Sequence, residues 1–232
     1  MCLSAEVDLV ASVAIGAVAV DTVRHVAQPR EIMLGSLPGL FALHQFSEVF
    51  VWWSLDDVVG AELGRAMMWV YLTFALVVLP SYVPAAIAFV EPDERHRRAM
   101  WAVFALGAAT SAVMASQLYD GAAEARDEDL HIQYVFGLQW PIVVVAGYLV
   151  ATCTPLLLAS WPTLRWYVVA NIVAVAAIGS FAIGGIVSLW CSWAAISSVA
   201  IALTMRRRRR RDARPSSSAV CPTLSRARRV PR

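Results

Sequence analysis

Residues Phe41–Trp53 read FALHQFSEVFVWW. The stretch is apolar enough to lie in a bilayer, yet His44, Gln45 and Glu48 fall near its middle. On a helix, His44 and Glu48 are separated by about 6 Å of rise and about 40° of rotation. They therefore share a face, with Gln45 on a neighbouring edge. An ionised carboxylate is costly in hydrocarbon, so Glu48 must face protein, water or a partner, and an ionisable group in a membrane helix marks a functional site by default.

The composition around this stretch is that of a membrane protein. The 232 residues are 59% hydrophobic and 16% charged, against roughly 45–50% and about 25% for a soluble domain. The mean hydropathy is +0.62. Apolar runs of about 20 residues, the length that crosses a bilayer, fall at roughly 5–23, 33–56, 66–90, 99–118, 134–158, 165–182 and 184–204. The last two are divided at the joint IGSFAIGGIVS, read as a tight hairpin at its glycines. Pro38, Pro80, Pro84 and Pro141 are tolerated where neighbouring helices satisfy the freed carbonyls. The expected fold is all-α, a polytopic membrane protein with seven transmembrane helices over residues 1–204. No internal repeat is visible, which weighs against transporters built from repeated halves.

The charges give the direction. All 19 basic residues are arginine, and 11 of them lie from Arg206 onward. Arg24 and Arg30, the loop EPDERHRR (91–98), Arg165 and the run MRRRRRR alternate with the acidic segments LDDVVGAELGR and YDGAAEARDEDLH. Arginine-rich connections stay cytoplasmic, so the N-terminus is expected outside and the C-terminus inside. Trp52, Trp53, Trp69 and Trp140 are assigned to an outer aromatic belt, and Trp101, Trp161 and Trp166 to an inner one. Residues 205–232 are rich in Arg, Ser and Pro and are expected to be a disordered cytoplasmic tail. The partners expected are the bilayer and, at this tail, anionic lipid; nucleic acid is not expected. The N-terminus lacks a basic region before its first apolar run, where Glu6 and Asp8 stand instead, so a cleaved signal peptide is not expected.

With that direction, polar residues concentrate in the outer half. Besides His44, Gln45 and Glu48, they include Tyr71, Ser116, Gln117, Asp120, His131, Gln133 and Tyr134. Ser188, Cys191 and Ser192 join them on the last span, and Cys2 and Glu6 at the start of the first. An outward-opening polar pocket is expected. His nitrogen and carboxylate oxygen are ordinary zinc ligands, and a catalytic zinc takes three protein ligands and a water. His44, Glu48 and His131 are the candidate metal set, with Asp120 or Cys2 as alternative ligands. Glu48 and Asp120 are the candidate catalytic carboxylates, with Asp120 or another carboxylate as general base on the bound water. Cys2, Gln45, Gln117, Tyr71, Trp190 and Cys191 complete the candidate pocket. HExxH, GxSxG, CxxC and P-loop motifs are absent. Each polar residue also has a plainer role, as an interhelical hydrogen bond worth about 1 kcal/mol or less.

Three motifs together, MCLSA at the start, LHQFSE on the second span and SLWCSWAA on the last, resemble an uncharacterised family of bacterial seven-helix membrane proteins. Its members begin Met-Cys-Phe-Ser-Ala, carry Leu-His-Gln-x-x-Glu and end with a Trp-Cys pair. Here Leu3 replaces the Phe, and Val49 follows Glu48 where glycine is common. The resemblance covers residues 1–204 and implies a bacterial inner-membrane location and an architecture, but no activity. It points to Cys2, Ser4, His44, Gln45, Glu48, Trp190 and Cys191. A rhodopsin-like role is excluded, because a retinal Schiff base needs lysine and the chain has none.

Two functions follow as expectations. One is a metal-dependent membrane hydrolase acting on a lipid or amphipathic substrate. The other is a non-enzymatic sensor, small-ligand receptor or structural membrane protein. Cys2 is expected to tuck inward toward Cys191, near the pocket.

Overall fold

The computed structural model describes residues 4–128, 131–161, 164, 168–169, 173 and 186–212. The helices are α1 (Ala5–Arg24), α2 (Ile32–Leu55), α3 (Ala61–Val90), α4 (Glu94–Asp120), α5 (Pro141–Leu158) and α6 (Ile186–Asp212). The first four overlap the expected spans 5–23, 33–56, 66–90 and 99–118, and α5 covers the later part of 134–158. The sixth span, 165–182, lies almost wholly outside the described residues, as do Cys2 and the chain from residue 213. Among the described residues, α3, α4 and α5 are long and apolar enough to cross a membrane. The protein is mostly helical.

Ser4 caps α1, its side chain accepting from the Val7 amide at 3.4 Å, which satisfies one of the orphan donors of the first turn. The buried residues of α1 are Ala5, Asp8, Ser12, Ile15, Ala19 and Thr22. Their spacing of three and four places them on one face, and that face packs along α2. The α2 helix also touches α3 and α6, while α3 packs on α4 and α5.

A π-helical segment, Thr73–Val78, interrupts α3 just before Pro80. Proline lacks an amide hydrogen and its ring crowds the carbonyl four residues back, so a widened turn there accommodates it. The same region sits tight against α4: a Cβ at Gly107 would collide with the Pro80 carbonyl. Gly64 plays the equivalent part where α3 crosses α2, facing Ser54. Substitution at either glycine would force helices apart.

The all-α expectation needs a correction. Glu124–Glu128 (β1) and His131–Val135 (β2) form an antiparallel hairpin, paired from Glu124↔Val135 to Glu128↔His131. The expected fifth span began at residue 134, but α5 starts at Pro141 and residues 134–135 are strand. The physical reason lies in HIQYV, which alternates: Ile132 and Tyr134 are buried, His131 and Gln133 half-buried. That is a strand period, and Pro141 is suited to the first turn of a helix. Trp140, before it, holds the left-handed conformation (φ 50°, ψ 52°), which is uncommon for a bulky residue.

A second difference concerns the arginine run. The tail was expected to begin at residue 205, whereas α6 remains helical to Asp212.

Among the described residues, three apolar clusters line the bundle. One, at the hairpin end, gathers Val49, Val51, Trp52, Met68, Leu72, Met114, Leu118 and Ile132. The others, toward the opposite end, include Leu34, Leu37, Leu79, Val90, Ile201 and Met205, and Ile87, Met100 and Leu164. At that opposite end the buried Glu91 accepts from the Asp93 amide (3.1 Å), the Ser160 amide (2.9 Å) and the Ser160 hydroxyl, which ties the α3–α4 turn to the segment after α5.

Candidate functional site

Asp8 lies one turn into α1, on its buried face, and is fully buried. Gln45 donates Nε2 to Asp8 Oδ1 at 2.5 Å, and Trp52 donates Nε1 to Oδ2 at 3.0 Å. Gln45 and Trp52 are seven residues apart, two helical turns, so α2 offers both donors along one edge. Each carboxylate oxygen of Asp8 thus meets a side chain of α2.

The adjoining edge of α2 carries His44 and Glu48, both buried. The His44 ring stacks on Tyr71 of α3, with centroids 4.0 Å apart and planes at 16°. Tyr71 in turn stacks on Tyr134 of β2 at 4.9 Å and 24°. Tyr134 completes the path by donating its hydroxyl to Glu48 Oε1 at 3.1 Å. Phe74, in the π segment, lies 5.0 Å from the His44 ring. Three helices and a strand therefore converge on one polar centre inside an apolar cluster. Its members are Asp8, His44, Gln45, Glu48, Trp52, Tyr71 and Tyr134.

One helical turn beyond Glu48, a cleft of about 260 Å³ opens between the end of α2, the start of α3 and β1. Val51, Leu55 and Met68 give it apolar walls, Ser54, Arg65 and Glu124 give polar ones, and Ala123 and Ala125 roof it.

The expected site residues divide clearly. His44, Gln45, Glu48 and Tyr71 come together. His131 does not join them: it is half-buried, and on a strand it faces away from Tyr134, three positions on. Asp120 ends α4 on the exposed surface. Gln117 accepts from the Gln139 amide at 2.9 Å and so fixes the segment before α5 instead. Cys2 and the side chains of Trp190 and Cys191 lie outside the described residues, so the Cys2–Cys191 expectation does too. Among the described residues, no three or more His, Cys, Asp and Glu side chains are grouped to hold a metal ion. The zinc set His44, Glu48 and His131 is therefore not assembled, and the described residues do not fit it.

Two members were missed or misread from sequence. In the sequence Asp8 stands out only as an acidic residue ahead of an apolar run, though its spacing from Ala5 and Ser12 marks the buried face. Trp52 was placed in an interfacial belt, but it is 5% exposed and serves Asp8.

Fold and site together define a helical protein with spans fit for a membrane and a polar centre buried among them. The chain belongs to DUF6629, a family of unknown function whose pattern matches residues 1–217. No curated protein and no solved structure matches the chain.

Proposed function

We propose that this is a seven-span protein of a bacterial plasma membrane that senses or receives a small ligand at its outer face. The observation that carries the reading is the bond from Tyr134 to Glu48. A hairpin in an acidic, outward connection reaches into the helical core and meets the carboxylate there. The same hairpin roofs the cleft. A ligand entering the cleft would displace β1, and β2 would carry the displacement to Glu48 and, through the Tyr71 stack, to the π segment of α3. The π register is a common feature of functional positions.

In this reading the N-terminus is outside and the arginine end is cytoplasmic, facing anionic lipid. Support comes from the arginine-bearing connections: those after α1 and α3, and the end of α6, meet at the end of the bundle away from the hairpin. Cysteine labelling at Gly60 and Gly121 from the outside tests this. Labelling only after permeabilisation would reverse it.

The metal-dependent hydrolase is the weaker reading, since His131 and Asp120 are away from His44 and Glu48. No hydrolytic step is derived. One experiment separates the two. Purified protein in nanodiscs is screened with small polar compounds by thermal shift, alongside metal analysis. The sensor reading expects a compound that stabilises the wild type and loses its effect when Ser54→Trp fills the cleft. A stoichiometric metal that is lost in His44→Ala would contradict it in favour of the enzyme.

A further inference from the structure

Six consecutive arginines, Arg206–Arg211, continue α6 past its apolar run. Like charges three and four apart on a helix repel, so a helical arginine run needs compensation. The bundle supplies it from several elements. Arg206 donates Nε to Asp21 Oδ2 of α1 at 2.8 Å. Arg208 donates Nε to Glu31 Oε1 at 3.0 Å and Nη1 to the Val90 carbonyl at 3.4 Å, with its guanidinium 4.4 Å from the centre of the Trp161 ring. Arg209 reaches the Arg24 carbonyl.

The Glu31 partner is itself a structural hub. It is 1% exposed, and its second oxygen accepts from the Ala27 (2.9 Å) and Gln28 (3.3 Å) amides. One carboxylate thus shapes the turn between α1 and α2 and receives the last helix. The two ion pairs differ in depth. Arg208 and Glu31 are shielded, at 20% and 2% side-chain exposure, whereas Arg206 and Asp21 are open, at 48% and 29%.

We propose that the arginine segment of α6 is an ion-pair clasp on the α1–α2 turn, and that anionic phospholipid headgroups open its outer half by competing for Arg206 and Arg209. This rests on the arginine end facing the cytoplasmic leaflet. A guanidinium binds phosphate oxygens in the same forked manner as a carboxylate, and an anionic surface attracts basic residues beside it. Arg206 is the exposed member that can exchange partners, while Arg208 stays pinned at Glu31. The charge of the lipid would then set how tightly the last helix holds the first.

The test is hydrogen exchange in the last turn of α1, residues 21–26 of the full chain, in nanodiscs. Phosphatidylcholine alone is compared with a mixture containing phosphatidylglycerol. Exchange is expected to be slow in neutral lipid and roughly thirtyfold faster in the anionic mixture, the scale of two arginines changing partner. Asp21→Asn, which leaves every arginine in place, should exchange fast already in neutral lipid. The double variant Arg206→Gln/Arg209→Gln should be fast in both and indifferent to lipid charge. Equal wild-type exchange in the two lipids would overturn the proposal. So would slow exchange in both variants, or an equal rise caused by inorganic phosphate on neutral nanodiscs. Orientation is read separately by outside labelling, so failure here leaves the sensor reading standing.

Discussion

The two ends of the bundle solve one problem in different ways. Each buries carboxylates: Asp8 and Glu48 at the hairpin end, Glu31 and Glu91 at the arginine end. At the hairpin end, Asp8 meets the amide of Gln45 and the indole of Trp52, and Glu48 meets the phenol of Tyr134. At the arginine end, Glu31 meets a guanidinium, an aromatic face lies behind it, and backbone amides complete the set. Neutral donors inside an apolar cluster depend on position and are hidden from salt. Ion pairs near water depend on charge and are screened within about 8 Å at physiological ionic strength. The hairpin end is thus suited to report geometry, and the arginine end to report the charge of its surroundings.

The contrast breaks most sharply at Asp8. Asp8→Ala should destabilise the protein by about 4 kcal/mol, because it leaves two buried donors without their acceptor at about 1–3 kcal/mol each. Unfolding in detergent or nanodiscs measures this, and the loss should be the same at low and high salt. Asp8→Asn, which keeps one acceptor, should lose less than half as much.

At the other end, Arg208→Ala should cost about 3 kcal/mol, the scale of breaking a shielded ion pair and leaving Glu31 behind. Here the difference from wild type should shrink in 1 M salt, where the screening length falls to about 3 Å. A salt-independent loss would erase the distinction between the two ends.

Tyr134→Phe should be milder overall, about 1 kcal/mol for one hydrogen bond, since the ring remains to stack on Tyr71. The smallest effect belongs to Asp93, which caps α4 by accepting from the His96 amide at 2.9 Å. That backbone bond holds the Asp93 carboxyl below the usual carboxylate range, helped by the charges of His96 and Arg95. A carboxyl whose folded value is depressed stabilises the fold above its unfolded value and loses that contribution as pH falls through the folded one. The protection of the first-turn amides of α4, after correction for the intrinsic pH dependence of exchange, should therefore fall on acidification, and Asp93→Ala should abolish that fall.

Much of this was legible in the chain, for identifiable reasons. The helices declare themselves by length and apolarity, and four expected spans coincide with helices. His44 and Glu48 were placed on one buried face by spacing alone, because an i, i+4 pair has little freedom in a helix. The hairpin was hidden because HIQYV is short and runs on into an apolar stretch, so its Tyr134 and Val135 were assigned by length to the expected helix. The partner of Asp8 could not be read at all: Gln45 and Trp52 are 37 and 44 residues away, and only tertiary packing brings them together. Composition likewise gave the arginine run as a tail, since local sequence does not show that Asp21, Glu31 and Trp161 stand ready to receive it.

The central claim is that the hairpin is held to the helical core through Tyr134 and Glu48. Hydrogen exchange across residues 131–135 in nanodiscs tests it most directly, comparing wild type with Tyr134→Phe and Glu48→Leu, which removes the acceptor. The account predicts that each variant speeds exchange in β2 roughly fivefold, equivalent to about 1 kcal/mol, and that combining them adds little further, because both remove the same bond. Wild-type exchange in both variants would show that the strand is held by other contacts and would contradict the claim.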